Sequence, residues 1–216
     1  MKINEIIKLS EEKTKKVCTA LENGNPYDKM NKDIEFIFEY AFDKRKVVWD
    51  NCSKRIFEIA ETSHEIREKI LKIMYTSNIH KKLIIIWSIH KTQKLNNEFF
   101  EKIIYNAIID KNKKLKLFGS QKASSYKLYH FADIIKEESE KTEDENTRNV
   151  MIEYYTFLTK GYLIEKSDSE YADRIIFHSG FVRLPKEIIA EEEIHKYVIE
   201  NLKDRDERIN DLYFKK

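Results

Sequence analysis

The stretch NIHKKLIIIWSIH, from Asn78 to His90, is the most apolar run in the chain. It opens with polar and basic residues, becomes apolar at Leu83 and carries a small residue, Ser88, five positions later. The same order recurs at two other places, where the apolar and small residues are Val47 with Cys52 and Leu115 with Ser120. The three apolar landmarks are 36 and 32 residues apart, and a weaker copy at 148–150 follows 35 residues later. A repeated interval of this size is typical of stacked helical hairpins.

The composition supports a mainly helical chain. Four glycines and two prolines among 216 residues leave few turn formers for an all-β fold, and 41% apolar residues argue against disorder. Charged residues make up 36% of the chain, which suits exposed helices with one buried face each. We therefore predict an all-α fold in a single domain, 1–216, with a capping helix over 1–24 and about five helical hairpins over 30–203.

Local signals predict several helix ends. The Gly-Asn-Pro segment at 24–26 is expected to end the capping helix. Thr62 and Glu65 have the spacing of a capping box, in which each side chain satisfies a backbone donor at a helix start. The acidic stretch 137–145 is predicted to be a solvated loop, and Pro185 suits the first turn of a final helix.

The segment 171–184 has two interpretations. In the first, a helix runs from Tyr171 to Phe177 after a second capping box and stops at Gly180. In the second, the same segment is a short β-hairpin, which would make the protein an α+β fold with a small C-terminal sheet.

Each repeat opens with Asp or Asn, followed by Lys before a branched apolar residue. These residues are Asp43 with Lys46 and Val47, Asn78 with Lys82 and Leu83, and Asp110 with Lys114 and Leu115. In this feature and in its interval the chain resembles the HEAT-like helical repeat (α-solenoid) family over roughly residues 30–200. The resemblance implies hairpins that stack to bury their apolar faces and a concave surface lined by the second helix of each hairpin. Such a surface implies binding rather than catalysis.

Charge is unevenly distributed along the chain. The whole chain has a net charge of +2, but residues 69–127 contain 13 lysines, no arginine and three acidic residues, for a net +10. The remainder therefore carries −8, much of it in the C-terminal third. A basic centre favours an acidic or polyanionic partner.

The predicted partner-binding residues are the tryptophans and cations of the second helices. They are Arg45, Lys46, Trp49, His80, Lys81, Lys82, Trp87, Lys113 and Lys114. Aromatic and cationic groups side by side suit protein hot spots, and our first hypothesis is a non-enzymatic adaptor, inhibitor or immunity-type protein that binds an acidic protein partner. The same groups also suit nucleic acid. The second hypothesis is therefore a nucleic-acid-binding protein, and the family resemblance extends it to a DNA-repair glycosylase-like enzyme.

No signature of an enzyme or a metal site is present in the sequence. The two Glu-x-x-His pairs, Glu61 with His64 and Glu192 with His195, have di-iron bundle spacing, but the first pair straddles a predicted helix start. The phosphate-loop, zinc-protease and nucleophile-elbow patterns do not occur. We expect no catalytic residue, no metal and no cofactor.

The sequence predicts a cytoplasmic protein. The two cysteines lack metal-binding spacing, which favours a reducing compartment. Charges interrupt the N-terminal residues too often for a signal peptide, and no apolar run approaches the roughly 20 residues that cross a bilayer.

Overall fold

The structure is a computed structural model that describes residues 11, 12, 15, 37–44, 46–89, 97–167 and 172–215. Within these ranges, and besides a helical turn at 37–40, it contains nine α-helices, one 3-10 turn and one three-stranded antiparallel sheet. The chain forms two compact units, Met1–Phe118 and Gly119–Lys216. The predominantly helical character predicted from the sequence is confirmed.

Unit 1 consists of helices that pack alternately. Their bounds are Lys46–Ala60 for α1, His64–Thr76 for α2, Ile79–Ser88 for α3 and Asn97–Ile108 for α4, while α5, Lys113–Ser125, begins in unit 1 and ends in unit 2. Helix α1 packs against α3 and α2 packs against α4, and α1, α2 and α3 each also contact the next helix. The interior is rich in isoleucine, and its fully buried large side chains include Ile66, Ile70, Ile85, Ile86, Ile103 and Ile104.

Each copy of the landmark pattern has a small residue that is buried in the structure. Cys52, Ser88 and Ser120, one in each copy, are all buried. Between α1 and α3, the hydroxyls of Ser53 and Ser88 form a buried hydrogen bond of 2.7 Å. Small side chains let the two helix backbones approach, and the mutual bond satisfies hydroxyls that would be costly to bury alone.

Unit 2 combines a helical hairpin with a small sheet. After the 3-10 turn Tyr129–Phe131 come α6 (Ala132–Glu140), α7 (Glu145–Thr159), β1 (Leu163–Glu165), β2 (Arg174–Phe177), β3 (Gly180–Arg183), α8 (Glu191–Asn201) and α9 (Glu207–Tyr213). The strands lie in the order β1-β2-β3, and both pairings are antiparallel. Ile175 and Phe177 from β2 join buried residues of α8 and α9, including Ile194, Val198 and Ile209, in one apolar core.

The helix predicted from Tyr171 to Phe177 is wrong, and the alternative β-hairpin is confirmed. The fifth helical hairpin is therefore absent, and strands interrupt the predicted 30–203 repeat region at 163–183. Burial alternates along β2, with Ile175 and Phe177 inside, which is the period of a strand rather than of a helix. Gly180, at φ +144°, adopts a backbone conformation at the turn that favours glycine.

Two predicted helix starts are displaced. Ser63, not Thr62, caps α2: its side chain accepts a hydrogen bond from the Ile66 N–H at 3.3 Å. The Thr62 hydroxyl instead donates to the Ile59 carbonyl, at the end of α1. The final helices begin with α8 at Glu191 rather than at Pro185, because residues 191–193 place three glutamates in the first turn, where the helix dipole favours negative charge.

The acidic stretch is only partly a loop. Residues 137–140 belong to α6, and the connection to α7 is limited to residues 141–144. Asp144 caps α7 by accepting a hydrogen bond from the Thr147 N–H at 2.8 Å. Of the predicted capping helix, the described residues 11, 12 and 15 are helical, and the rest of 1–24 lies outside the described residues. No helix in the described ranges has the length and hydrophobicity needed to span a bilayer.

Candidate partner-binding groove

Helices α1, α3 and α5 line a groove in unit 1 with a volume of about 430 Å³. These are the second helices of successive predicted hairpins. The lining residues are Trp49 from α1, His80, Leu83, Ile84 and Trp87 from α3, and Lys114, Leu117 and Phe118 from α5. Six of the eight lining residues are apolar or aromatic, and the other two, His80 and Lys114, are basic. The groove therefore has an apolar floor with two basic groups.

Trp87 is the most prominent side chain of the groove. It is 58% exposed, and its ring lies 5.1 Å from that of Phe118 at an angle of 54°. Trp49 is half-buried. An exposed tryptophan held against a second aromatic ring offers a large apolar contact with little remaining conformational freedom, which is characteristic of binding hot spots.

The lining residues recur every 34 residues. Trp49, Leu83 and Leu117 are separated by this interval, and so are His80 and Lys114, and Ile84 and Phe118. The same face of each second helix therefore lines the groove. The landmark spacings of 36 and 32 align residues that are not equivalent, since Leu115 is fully buried whereas Leu83 is half-buried and lines the groove.

The three groove helices share an unusual charge pattern at their starts. Helices α1, α3 and α5 have no acidic residue in the first turn, whereas each of the other six α-helices in the described ranges has at least one. Their first turns contain basic side chains instead: Lys46 in α1, His80, Lys81 and Lys82 in α3, and Lys113, Lys114 and Lys116 in α5. A cation at a helix N-terminus opposes the helix dipole and costs about 0.3–1 kcal/mol. Lys82 bonds to Asp110, and the buried Lys116 bonds to the Ile108 carbonyl. The exposed basic residues among them, Lys46, His80, Lys113 and Lys114, suit an anionic group.

The structure brings together four of the predicted partner-binding residues. Trp49, His80, Trp87 and Lys114 all line the groove. Lys46 and Lys113 are exposed at the starts of α1 and α5 but do not line it. Lys81 does not line it either, and its ammonium lies 5.5 Å from the centre of the Phe42 ring. Arg45 lies outside the described residues.

Lys82 has a partner within unit 1. Its ammonium bonds to the Asp110 carboxylate at 2.8 Å, and the two side chains are only 15% and 16% exposed. The other oxygen of Asp110 accepts a hydrogen bond from the Asn112 N–H at 2.8 Å. Lys82 thus ties α3 to the turn between α4 and α5, and so links one hairpin to the next.

Sequence reasoning missed four lining residues, namely Leu83, Ile84, Leu117 and Phe118. Leu83 and Ile84 lie in an unbroken apolar run, whose sequence does not distinguish its groove-facing side from its interior side. The 34-residue interval from Trp49 is a signal for two of the four missed residues. It leads from Trp49 to Leu83 and Leu117 in two steps.

The lining of the groove is mainly apolar. Its polar side chains are those of His80 and Lys114, and it contains no carboxylate, hydroxyl or thiol. In the described residues, no group of three or more histidine, cysteine, aspartate or glutamate side chains is placed to hold a metal ion. Of the Glu-x-x-His residues, Glu61 lies in a turn, and His195 bonds through Nδ1 to the Tyr162 hydroxyl at 3.0 Å.

Comparison of the chain with protein-family models, with curated proteins and with solved structures gave no match. The geometry and the charge of the groove therefore provide the basis for a functional assignment.

Proposed function

We propose that this protein is a non-enzymatic, cytoplasmic, HEAT-like α-solenoid that binds an acidic segment of another protein in the α1/α3/α5 groove. The observation that carries the proposal is the coincidence of an exposed Trp87 with three helix starts that have basic but no acidic residues. The alternate packing of α1 on α3 and of α2 on α4 supports a two-layered repeat. The Lys82–Asp110 bond between successive hairpins supports it as well.

The chemistry of the groove favours an amphipathic acidic segment as its occupant. Leu83, Leu117 and the three aromatic side chains of the groove favour a large apolar anchor, because polar groups buried there would lack partners. His80 and Lys114 are exposed and require a carboxylate beside that anchor. An amphipathic acidic helix laid along the groove satisfies both requirements. A small protein that binds such a segment acts as an adaptor, an inhibitor or an immunity protein.

Nucleic acid is the second candidate, and the exposed ring of Trp87 is the observation that favours it, since bases stack on such rings. Phosphate binding uses several cations at once, whereas only two of the eight lining residues are basic and Lys82 is already bonded to Asp110. The groove therefore fits an acidic peptide better than a phosphate backbone.

The test is capture of a partner from a lysate of the cells that produce the protein, after nuclease treatment, with a pair of matched variants. Trp87→Ala removes the exposed groove ring, and Tyr75→Ala removes a ring of similar exposure, 57%, from α2, which does not line the groove. We expect Trp87→Ala to weaken the affinity of the purified partner by about 30-fold or more, as truncation of a hot-spot residue does, and Tyr75→Ala to leave it unchanged. Isothermal titration calorimetry with the purified partner measures both.

Charge reversal provides the second arm. Lys114→Glu is expected to abolish binding of an acidic segment and to leave the circular dichroism spectrum intact, because Lys114 is exposed. Equal affinities for wild type, Trp87→Ala and Lys114→Glu would exclude the groove as the binding surface. A captured species that disappears with nuclease, together with salt-sensitive binding of short DNA or RNA, would replace the protein partner with nucleic acid.

A further inference from the structure

Unit 2 contains a second cavity, with a volume of about 750 Å³. It lies where the end of α7, the residue before β1, the start of α8 and the end of α9 meet. The lining residues are Lys160, Tyr162, Ala190, Glu191, Glu192, His195 and Tyr213. The proposed partner-binding function makes no use of this cavity.

Three rings form a fixed aromatic wall in the cavity. The His195 ring stacks on Tyr162 at 6.3 Å and 27° and meets Tyr213 edge-on at 5.1 Å and 69°. Both tyrosine hydroxyls are already hydrogen-bonded: Tyr162 and His195 share a hydrogen bond of 3.0 Å, and the Tyr213 hydroxyl donates to the Lys160 carbonyl at 3.2 Å. Tyr162 is only 2% exposed, whereas His195 and Tyr213 are half-buried, so a ligand meets chiefly the rings of His195 and Tyr213.

Both phenols remain uncharged over the neutral range. Burial raises the pKa of Tyr162 to about 12, with smaller contributions from Tyr213 and Glu191. Burial also raises the pKa of Tyr213. The rings thus keep the negative face that attracts cations without contributing an ionised oxygen.

One carboxylate of the cavity is uncompensated. The Lys160 ammonium bonds to the Glu191 carboxylate at 2.6 Å, and this bond lowers the pKa of Glu191. Glu192 has no ion-pair partner within the described residues. The lining therefore carries one net negative charge beside three aromatic rings, and the glutamates at 191–193 offset the positive start of α8.

We infer that this cavity binds a small organic cation of the methylated ammonium class. A methylated ammonium has few or no N–H groups to satisfy, so ring faces and one counter-ion are enough to hold it, whereas the three N–H donors of a primary ammonium require more acceptors than the single uncompensated carboxylate of Glu192. The rings of His195 and Tyr213 contact its methyl groups, and Glu192 acts as its counter-ion. The cavity is large enough to admit a substituent beyond the ammonium group.

The test uses choline and its uncharged isostere 3,3-dimethylbutan-1-ol, which has the same shape without the positive charge. Each is titrated into the full chain while the aromatic side-chain resonances of Tyr162, His195 and Tyr213 are followed by NMR. We expect saturable shifts with choline and binding of the isostere that is weaker by about five-fold or more. Equal affinities, or no saturation with choline at millimolar concentrations, would overturn the inference.

A matched pair of variants separates a specific counter-ion from general surface charge. Glu192→Gln is expected to weaken choline binding by about three-fold or more. Glu193→Gln removes the same charge from the same helical turn but lies outside the cavity lining, and it should bind choline like the wild type. Both positions are exposed, so both variants are expected to fold. An equal loss in the two variants would contradict the role of Glu192.

Discussion

Asp211 holds α9 in place through several bonds to one carboxylate. One oxygen accepts from the Tyr129 hydroxyl at 3.0 Å and from the Lys127 ammonium at 3.4 Å, and the other accepts from Lys215 at 2.8 Å. The hydrogen bond from Lys215 lowers the pKa of Asp211 most, and Tyr129 and Lys127 lower it further. The folded state thus favours the ionised carboxylate.

This lowered pKa predicts an acid-sensitive contribution to stability. Because the pKa of Asp211 is depressed on folding, its contribution is fully present above the unfolded value of about 3.9 and is lost as the pH falls through the folded value. Asp211→Asn should lower the free energy of unfolding by about 1–2 kcal/mol at pH 7 and by less below pH 4. Urea unfolding followed by circular dichroism from pH 7 to pH 3 measures the difference. Asp204→Asn, at an exposed position nearby, is the control, and an equal effect of the two variants would argue against the contacts of Asp211.

The burial of Arg208 could not be predicted from the residues around it in the sequence. It lies in the charged run KDRDER yet is only 4% exposed, and it donates to the Ser124 carbonyl at 2.7 Å and to Asp206 at 3.3 Å. Arginine is rarely buried, so its composition and neighbours predict an exposed side chain. Asp206 is a local partner, but the shorter hydrogen bond, to Ser124, joins positions 84 residues apart, and the sequence does not reveal it.

At the level of helices and strands, two adjacent hydroxyls at the start of α2 have different roles. Ser63 bonds to the Ile66 N–H, whereas Thr62 bonds back to Ile59. Ser63→Ala should therefore lower the stability of unit 1 by about 1 kcal/mol, because it leaves a backbone donor at the helix start unsatisfied. Thr62→Ala should cost less than half of that. Thermal unfolding monitored by tryptophan fluorescence compares the stabilities of the two variants. A larger loss of stability for Thr62→Ala would support the capping box predicted from the sequence.

Helices were easier to predict than strands for a physical reason. Apolar residues at helical spacing identify α2 and α4, which are 13 and 12 residues long and so extend over more than three turns. Strand β1 has only three residues, and β2 and β3 have four each, which is too short for alternation to exclude a helix. Their pairing across residues distant in sequence decides the structure, and the local pattern does not contain that information.

For the molecule as a whole, the important distinction in unit 1 is between its interior and its groove. Helix α3 contributes to both: Ile85 is 2% exposed in the interior, while the neighbouring Leu83 lines the groove. The hydrophobic pattern predicted that the apolar run containing α3 is central to the fold. An unbroken apolar run does not indicate which of its residues face outward. The sequence therefore singled out Trp49, His80, Trp87 and Lys114 among the groove residues. It did not single out the leucine, isoleucine and phenylalanine side chains that complete the lining.

Aspartate substitutions on α3 test this division. Ile85→Asp buries an unpaired carboxylate and should destabilise unit 1 by about 4 kcal/mol or more. Leu83→Asp places the charge at the groove surface and should cost about 1–2 kcal/mol, so that the fold persists. Tryptophan fluorescence during urea unfolding reports on unit 1, because both Trp49 and Trp87 lie there. Unfolding of both variants to the same extent would place Leu83 in the core.

Because the groove positions recur every 34 residues, related proteins could differ in this surface in two separate ways. Gain or loss of a whole hairpin would change the length of the binding track in fixed steps and preserve the chemistry at each remaining position. Substitution at the positions equivalent to Trp49, Leu83 and Leu117 would change what is recognised without altering that length. If the groove binds a partner as proposed, the number of hairpins would set the length of the contact and single groove positions would set its selectivity, so that either could change without the other.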